Sequence, residues 1–371
     1  MPISVTVVGA GPVGLMTALR LAQAGIDVTC LEAEASLVRS PRAMVSHPVV
    51  TEEFERSGIL ADIQKRGLRS ESVCLKMSKT GKVIAKLVMD TGSVTGRESL
   101  VIRQDDLSDI ILKHLAKYDH CNILYDHRVI AMEQPMAEDS SIGHMRPQVT
   151  TLSEKNGARE HFSADYIVAA DGGRSTIRHL LDIPFDGLTY KDDQLVVANL
   201  HIPQAPGAWS DAIICVNPGS DWGLVAQIGD NLWRMAYKEQ PGLTEGQIRD
   251  RVPDKLLHLS GGQAVKDVRI EMIASHRLRQ HCAATFLKGR VVLAGDAAHL
   301  CDPFGAFGTT SGLLDAIAVA DALVAIHRDE ASTDALECYA VERRNIFIDL
   351  VNPFSQSDEE GPQDATFCRG V

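Results

Sequence analysis

The sequence is poor in aromatic residues and contains no cluster of basic residues. Phe, Trp and Tyr make up 5% of the 371 residues, and 37 Lys and Arg stand against 49 Asp and Glu, which gives a formal net charge of −12. Proteins that bind nucleic acid or anionic membranes usually carry a basic patch. The composition therefore argues against nucleic acid and membrane as partners.

The sequence also lacks paired cysteines and a targeting segment. Its eight cysteines are scattered without a CxxC pair, so we expect neither a metal site nor a disulfide framework. The first residues include no basic stretch, and the first apolar run stops at Gly9, too early for a signal peptide or a membrane anchor. These absences predict a soluble protein of a reducing compartment, and the cytoplasm is the expected one.

Strand and helix patterns alternate at both ends of the chain. Apolar β-branched residues predict a strand at 3–8, helical periodicity follows, and a second strand is predicted at 26–32. The apolar run RVVLAG (290–295) predicts a further buried parallel strand, and helices are predicted at 312–328 and 333–350. This order is typical of an α/β fold built on a parallel sheet.

The middle of the chain has a different pattern. From about residue 183 to 276, short runs alternate apolar and polar residues, with one helix predicted at 244–258. Such alternation predicts an antiparallel sheet with one buried face. We therefore predict an α/β protein in which an antiparallel-sheet domain is inserted into a Rossmann-like βαβ domain.

A glycine fingerprint lies directly between the first strand and the first helix. In GAGPVG (9–14), Gly9 permits a tight turn, Gly11 leaves bare backbone for a pyrophosphate, and Gly14 allows close packing of helix and strand. Glu32 follows the second strand, where an acid accepts hydrogen bonds from a ribose without a 2′-phosphate. The fingerprint predicts FAD or NAD, and the alternative is a purely structural glycine turn.

Two further segments follow predicted strands. DGGRSTIR (171–178), taken alone, is also compatible with a common turn in which Ser175 caps a helix and Arg178 is solvated. GDAAHLCDPFGAFGTTSG (295–312) contains four glycines and a proline between two apolar runs. Backbone with so few side chains is usually approached closely by another molecule.

Together the three segments resemble one family, the class A FAD-dependent aromatic hydroxylases of the p-hydroxybenzoate hydroxylase type. The resemblance also covers SPRA (40–43) and RQDDL (103–107), and it extends from the N-terminus to about Pro353. It implies an FAD-binding Rossmann-like domain, FAD as cofactor and NADPH or NADH as co-substrate. We expect the FAD domain to comprise 1–75, 100–182 and 286–352, the substrate domain 76–99 and 183–285, and a flexible tail 353–371.

The resemblance also implies which residues contact the cofactor. In the family, the GxGxxG loop holds the ADP part of FAD, the DGxxSxxR segment lies near flavin and pyridine nucleotide, and the GD acid contacts the ribityl chain. The implied FAD residues are Gly9, Gly11, Pro12, Val13, Gly14, Glu32, Ala33, Arg42, Arg103, Val129, Asp171, Gly172, Asp296, Pro303, Gly305, Ala306, Gly308 and Thr309. The sequence departs from the family at Thr310, where Asn is usual.

Class A enzymes reduce FAD with NAD(P)H, add oxygen at flavin C4a and transfer a hydroxyl group to an electron-rich ring. The protein must exclude water and hold the ring, commonly with a base for the phenolic proton. The candidate pocket residues are His47, Tyr190, Trp222, Arg234, Tyr237 and His276, of which His47 and Tyr237, together with Pro303, are the catalytic candidates. Each has an ordinary alternative, as a core aromatic or a salt-bridged side chain.

Several functions remain open at this point. The leading hypothesis is an NAD(P)H- and oxygen-dependent hydroxylase of a phenolic, aromatic or polyketide-like substrate. The alternatives are an FAD enzyme that performs epoxidation or other redox chemistry, and a non-catalytic flavin-binding relative. A simple NAD dehydrogenase would leave the second and third segments unexplained. The oligomeric state is left open, with a homodimer as one option.

Overall fold

The structure, a computed structural model, describes most of the chain. The described residues are 2–41, 45–69, 72–77, 82–88, 99–134, 146–205, 209, 212–216, 222–260, 262–303 and 307–355. Three predicted FAD residues, Arg42, Gly305 and Ala306, lie outside these ranges, as do the tail residues 356–371.

Strands account for much of the described chain. In chain order they are β1 (Ser4–Val8), β2 (Asp27–Leu31), β3 (Val45–Ser46), β4 (Leu68–Arg69), β5 (Ser72–Met77), β6 (Val83–Val88), β7 (Leu100–Val101), β8 (Cys121–Leu124), β9 (Arg128–Glu133), β10 (Gln148–Leu152), β11 (Arg159–Ser163), β12 (Tyr166–Ala169), β13 (Phe185–His201), β14 (Ala212–Val216), β15 (Gly223–Gly229), β16 (Leu232–Glu239), β17 (Arg269–Ala283), β18 (Leu287–Lys288), β19 (Val291–Leu293) and β20 (His299–Leu300).

Helices connect these strands and close the chain. They are α1 (Pro12–Gln23), α2 (Pro48–Arg56), α3 (Leu60–Arg66), α4 (Gln104–Leu115), α5 (Thr176–Leu180), α6 (Glu245–Leu259), α7 (Phe307–His327), α8 (Asp334–Ile346) and α9 (Asn352–Ser355), with a 3-10 turn at Gly295–Ala297 and a π-helical turn at Phe347–Val351.

A six-stranded sheet with the order β18-β19-β12-β1-β2-β8 forms the first layer. Strands β19, β12, β1, β2 and β8 run parallel, and only β18 is antiparallel to its neighbour. These strands are short apolar runs because both faces of a parallel sheet are buried. Helices α1, α4 and α7 pack side by side in the same core, which also includes Val129 and Val149 of the three-stranded sheet β11-β10-β9. The predicted parallel sheet is confirmed.

An eight-stranded sheet with the order β20-β17-β13-β16-β15-β14-β5-β6 forms the second unit. Its pairs are antiparallel, as the alternation predicts, except that β14 and β5 run parallel. Helix α6 covers one face through Ile248, Val252, Leu256 and Leu259. Strand β5 crosses the predicted boundary at residue 75 and lies wholly in this sheet; the division into domains stays a prediction.

Helix α7 begins earlier than the sequence indicates. It starts at Phe307 rather than Gly312, so Gly308 and Gly312 lie in its first two turns. Among the described helices it alone has the length and apolar composition that would allow it to cross a membrane. However, 56% of its most apolar stretch is buried inside the protein, where it packs against α1 and α8.

Candidate active site

Four segments meet at the carboxyl edge of the parallel sheet. GAGPVG follows β1, Glu32 follows β2, Asp171 follows β12, and Gly295-Asp296 follows β19. Since these strands are consecutive neighbours in the sheet, their ends lie side by side, and backbone hydrogen bonds continue the pairing past the strands, from Gly9 N to Leu31 O at 2.7 Å and from Ala294 N to Ala169 O at 2.9 Å. This is the edge at which open α/β sheets bind ligands.

The glycines of the fingerprint have different environments. Gly9 has φ +102°, and a Cβ at Gly9 or Gly14 would overlap the carbonyl oxygen of Ala170 or Gly9 respectively. A Cβ on Gly11 would meet no atom within 4 Å. Gly11 is the N-cap of α1, so its open side faces the amides and the positive end of that helix. The empty space and the helix end together fit a pyrophosphate.

Glu32 is fixed at the rim of this space. Its Oε2 accepts a hydrogen bond from Ala10 N at 2.7 Å, and its Oε1 accepts one from Glu34 N at 3.0 Å. A carboxylate has further acceptor positions beyond these two bonds. These two bonds fix the orientation of the carboxylate, its contact with a ribose stays a prediction, and the half-buried Ala33 follows it.

The DGxxSxxR segment is largely internal. Asp171 Oδ2 accepts from Ile177 N at 3.1 Å, whereas Asp171 Oδ1 is buried without a hydrogen-bond partner among the described residues. Burial raises the pKa of Asp171, against the opposing hydrogen bonds from Ser175 and Ile177. Ser175 caps α5 by accepting from Arg178 N at 3.0 Å, which is the ordinary alternative given above. An acid with one orphaned oxygen is consistent with a missing polar ligand.

Arg178 is buried, so the alternative interpretation in which its side chain is solvated is wrong. Its side chain is 2% exposed, donates to Ala297 O at 2.8 Å and to Gly173 O at 3.1 Å, and packs over the ring of Phe185. It therefore ties the DG turn to the turn that carries Asp296. This orientation does not support direct contact with a nicotinamide nucleotide.

The GD turn packs directly against the fingerprint helix. Gly295 has φ +60°, and a Cβ on Gly295 or Gly312 would lie within 3 Å of the Val13 side chain. Both ends of the 295–312 segment thus pack against Val13 of the fingerprint, and Arg178 links the 171–178 segment to the same turn through Ala297 O. Asp296, half-buried on the 3-10 turn, lies between the end of β19 and the start of α7.

A buried ionic network that the sequence analysis missed supports this turn. The carboxylate of Asp315 is fully buried on α7 and pairs with His299 Nε2 and Arg343 Nε, each at 2.6 Å, and it accepts from Gly295 N at 3.0 Å. Burial disfavours its ionised form, but the charges and hydrogen bonds of His299 and Arg343 hold the pKa of Asp315 below its usual value. In the sequence, the available signal for this network was the position of Asp315 within the apolar run LLDAIAVADAL.

The loop at residues 301–303 and the first turn of α7 complete this side of the site. Pro303 is exposed, Gly308 and Thr309 are half-buried, and Thr310 Oγ1 is buried without a partner among the described residues. The ring of His47, at the N-cap of α2, stacks on Phe307 with centroids 5.3 Å apart. His47 and Pro303 therefore lie on two segments that border the start of the same helix.

The eight-stranded sheet presents an apolar cluster on the face opposite α6. We call it the sheet-face cluster; its members are the buried Leu195, Val197 and Leu278 and the half-buried Tyr190, Trp222 and Ala236. His276 pairs with Leu195 in the sheet and therefore lies on the same face. Of the predicted pocket residues, Tyr190, Trp222 and His276 are thus brought together.

Tyr237 lies on the other face. It packs with Met235 and Val196 against α6, is 1% exposed, and its hydroxyl has no hydrogen-bond partner among the described residues. Burial raises its pKa. Because neighbouring strand residues point to opposite faces, Tyr237 faces away from the cluster that contains Ala236, and this position contradicts the predicted catalytic role.

Arg234 and Arg103 form a polar group beside the cluster. Arg234 is buried, donates to Asn199 Oδ1 at 3.0 Å, and has its pKa lowered to about 10 by burial and by the charge of Arg103. Arg103 makes a two-point ion pair with Asp105, at 2.6 and 3.1 Å. Thus Arg103 is held by an acid here, with further N–H donors left on its guanidinium, and its contact with FAD stays a prediction.

Val129 lies on β9, two residues after His127, whose backbone N donates to Glu32 O at 2.8 Å. It is a buried residue of β9 in the main core, 5% exposed, so its side chain contacts protein rather than a ligand. The contact of Val129 with FAD stays a prediction.

Comparison with known proteins shows the family. The FAD binding domain family matches residues 2–352. Para-nitrophenol 4-monooxygenase of Pseudomonas sp. strain WBC-3 is 36% identical over 356 residues, which cover 94% of this chain and 84% of that protein. The 6-hydroxy-3-succinoylpyridine 3-monooxygenase HspB of Pseudomonas putida is 31% identical over 94% of this chain and 86% of its own length.

A solved structure agrees with these relatives. The crystal structure of p-nitrophenol 4-monooxygenase PnpA from Pseudomonas putida DLL-E4 has a TM-score of 0.86 and 34% identity, and the match covers 95% of this chain and 87% of that one. Family, relatives and fold agree with the glycine-lined edge described above. The chain therefore belongs to the class A FAD-dependent aromatic hydroxylases, and it is an FAD-dependent monooxygenase with NAD(P)H as co-substrate.

Proposed function

We propose that the protein hydroxylates a small phenolic ring held between the sheet-face cluster and FAD. The supporting observation is that strand β17 carries both a member of this cluster and the residue that holds the predicted flavin loop. Leu278 and Gln280 lie on the same face of β17, and Gln280 Oε1 accepts a hydrogen bond from Asp302 N at 2.8 Å. The apolar face and the loop that contains Pro303 therefore border one space.

Different residues of this edge would contact different parts of the cofactor. The space at Gly11 would hold the pyrophosphate, Glu32 the adenosine ribose and Asp296 the ribityl chain, while the first turn of α7 would offer amides and a positive dipole to the flavin ring. Gly9 allows the tight turn after β1, and Gly14 allows α1 to pack closely against that turn. When bound, FAD supplies the oxygen activation, after reduction by NAD(P)H.

The chain itself contributes orientation, exclusion of water and a proton acceptor. Leu195, Val197 and Leu278 give an apolar wall, and Trp222 and Tyr190 add flat surfaces that suit an aromatic ring. His47 is the proposed acceptor of the phenolic proton, because it borders α7 whereas Tyr237 lies behind the sheet. The relatives named above act, by their names, on a nitrophenol and a hydroxypyridine, which supports a single aromatic ring as the substrate.

The free cysteines support a proposal for the cellular compartment. The cysteines at 30, 74, 121, 215, 282, 301 and 338 are free. Free thiols at buried and exposed positions suit a reducing environment, so we propose the cytoplasm.

The test is product analysis with labelled oxygen. FAD-loaded protein is incubated with NADH or NADPH, ¹⁸O₂ and a panel of phenols and hydroxypyridines. We expect a phenol to stimulate NAD(P)H oxidation and to gain one labelled oxygen on its ring. Label on an alkene, or flavin that is never reduced, would instead support the epoxidation or the non-catalytic alternative.

Substitutions at two neighbouring residues of β16 test which face of the sheet contacts the substrate ring. Ala236→Leu fills the sheet-face cluster and should raise KM for the phenol about tenfold or more, equivalent to about 1.4 kcal/mol, without changing FAD affinity. Tyr237→Phe, the matched control on the α6 face, should leave KM and kcat unchanged, and His47→Gln should lower kcat. A substrate effect from Tyr237→Phe but not from Ala236→Leu would place the ring elsewhere.

A further inference from the structure

One buried carboxamide outside the predicted site joins three separate segments. Gln280, on β17, is 3% exposed. Its Nε2 donates to Asn352 Oδ1 at 2.7 Å and to Ser355 Oγ at 2.8 Å, and its Oε1 accepts from Asp302 N at 2.8 Å. The substrate sheet, the loop before Pro303 and helix α9 thus meet at one side chain.

Two of the three partners of Gln280 are fully buried, and the third, Asn352, is half-buried. Asp302 and Ser355 have no exposed surface, and Ser355 Oγ also donates to Asn352 O at 3.3 Å. A fully satisfied polar group in such surroundings holds its partners rigidly, since no water can replace a broken bond. The loop at 301–303 is therefore fastened from the sheet side.

The other side of the loop lies against α7. A Cβ on Gly308 would come within 3.4 Å of Cys301 Sγ, so the first turn of the helix touches the loop. Pairing of β17 with β20, in which His281 is opposite Leu300, aligns the chain just before it. Gln280 is the side chain that continues this alignment to Asp302.

Gln280 also has a fixed relation to the proposed ring pocket. Leu278, a member of the sheet-face cluster, precedes it by two residues on the same face of β17. The position of Pro303 relative to the wall of the pocket therefore depends on the hydrogen bond between Gln280 and Asp302. A shift of about 1 Å between reacting groups is enough to impair a reaction strongly.

We propose that Gln280 is a positioning residue that fixes loop 301–303 against the substrate wall, so that oxygen is delivered to the ring rather than released. This inference rests on the proposed function. In coupled turnover NAD(P)H supplies two electrons, one oxygen atom replaces hydrogen on the ring as a hydroxyl group, and the other leaves as water. In uncoupled turnover the same two electrons and two protons convert O₂ to hydrogen peroxide, and the ring is unchanged.

The experiment compares Gln280→Met, which has similar size but makes none of the three hydrogen bonds, with Gln280→Glu, which keeps an acceptor for Asp302 N. Gln148→Met is the matched control, because Gln148 bonds Ser163 on the distant three-stranded sheet. Two quantities are measured in FAD-loaded protein: amide hydrogen exchange of the peptide containing residues 301–303, and hydroxylated product formed per NAD(P)H oxidised. The second is a ratio over active molecules, so a smaller folded fraction does not change it.

In Gln280→Met we expect exchange at 301–303 to become about fivefold faster or more, and the product ratio to fall about twofold or more, with peroxide making up the difference. Gln280→Glu should keep slow exchange at Asp302 and recover part of the ratio. Gln148→Met should match the parent protein in both measurements.

Unchanged exchange in Gln280→Met would overturn the inference, and so would faster exchange with an unchanged product ratio, since Gln280 would then be only structural. Failure of the proposed function has a different signature. The parent protein itself would then form no hydroxylated product, while the exchange result would still decide whether Gln280 fastens the loop.

Discussion

Gly11 and Gly14 provide a sharp test of where the cofactor lies, because a methyl group has opposite consequences at the two positions. At Gly11 a Cβ would meet no protein atom within 4 Å, and the backbone is already extended, with φ −71° and ψ 174°. At Gly14 a Cβ would overlap the carbonyl oxygen of Gly9 and lie 3.3 Å from Val7 Cγ1. Alanine should therefore affect binding at one site and folding at the other.

The expected magnitudes follow from these surroundings. In FAD-free protein, Gly11→Ala gives up a favourable N-cap residue but reduces the entropy of the unfolded chain, and the two terms offset each other to within about 0.5 kcal/mol. Its methyl group would occupy the space assigned to the pyrophosphate, so FAD affinity should fall about 5- to 150-fold, which corresponds to about 1–3 kcal/mol. Gly14→Ala should lower the free energy of unfolding of the FAD-free protein by about 1–3 kcal/mol or more.

The assay uses protein stripped of FAD. Urea unfolding gives the stability of each FAD-free variant, and titration with FAD, followed by the change in flavin fluorescence, gives Kd. Full FAD affinity in Gly11→Ala would refute the placement of the pyrophosphate. An equal loss of FAD-free stability in both variants would show that Gly11 acts through the fold instead.

Two further predictions concern the acids of the GD region. Asp296→Ala should weaken FAD retention, measured as bound FAD after gel filtration. The stability of the FAD-free protein should stay the same, because a half-buried contact is lost without opening a core cavity. Unchanged FAD occupancy would contradict the assignment of Asp296 to the ribityl chain. Asp315→Asn should destabilise the protein by about 3–5 kcal/mol near neutral pH, because Arg343 loses its buried counterion. Since the folded pKa of Asp315 is lowered, its contribution is present above its unfolded pKa of about 3.9 and is lost as pH falls through the folded value. Urea unfolding between pH 6 and 3 should thus show a steeper acid decline in the parent than in Asp315→Asn, and identical slopes would contradict the role of Asp315.

The sequence by itself predicted that the cofactor binds at the carboxyl edge of a parallel sheet. The glycine spacing at 9–14, an acid after β2 and the DG and GD turns after apolar runs each depend on local backbone geometry, which is readable from residue type. Parallel pairing then brings these strand ends together, because buried apolar strands separated by helices and long connections pack in that way. The convergence of these strand ends was therefore predictable in outline.

The tertiary structure alone decided which side chains face the proposed ring. Register irregularities in β13, between Thr189 and Gln194 and between Asn199 and Leu200, change which residues share a face, and a change of one residue reverses every side chain. Tyr237 is opposite Val196 in the regular pairing of β13 with β16, and both side chains lie on the α6 face, behind the sheet.

Long-range partners were equally beyond the sequence. The partner of Gln280 is Ser355, 75 residues away, and that of Asp315 is Arg343 on another helix. Nothing local distinguishes these polar residues from solvated ones, since their burial depends on how the sheet, α7 and the C-terminal helices pack. Local chemistry thus specified where the cofactor is proposed to bind, whereas register and packing specified what holds that site in place.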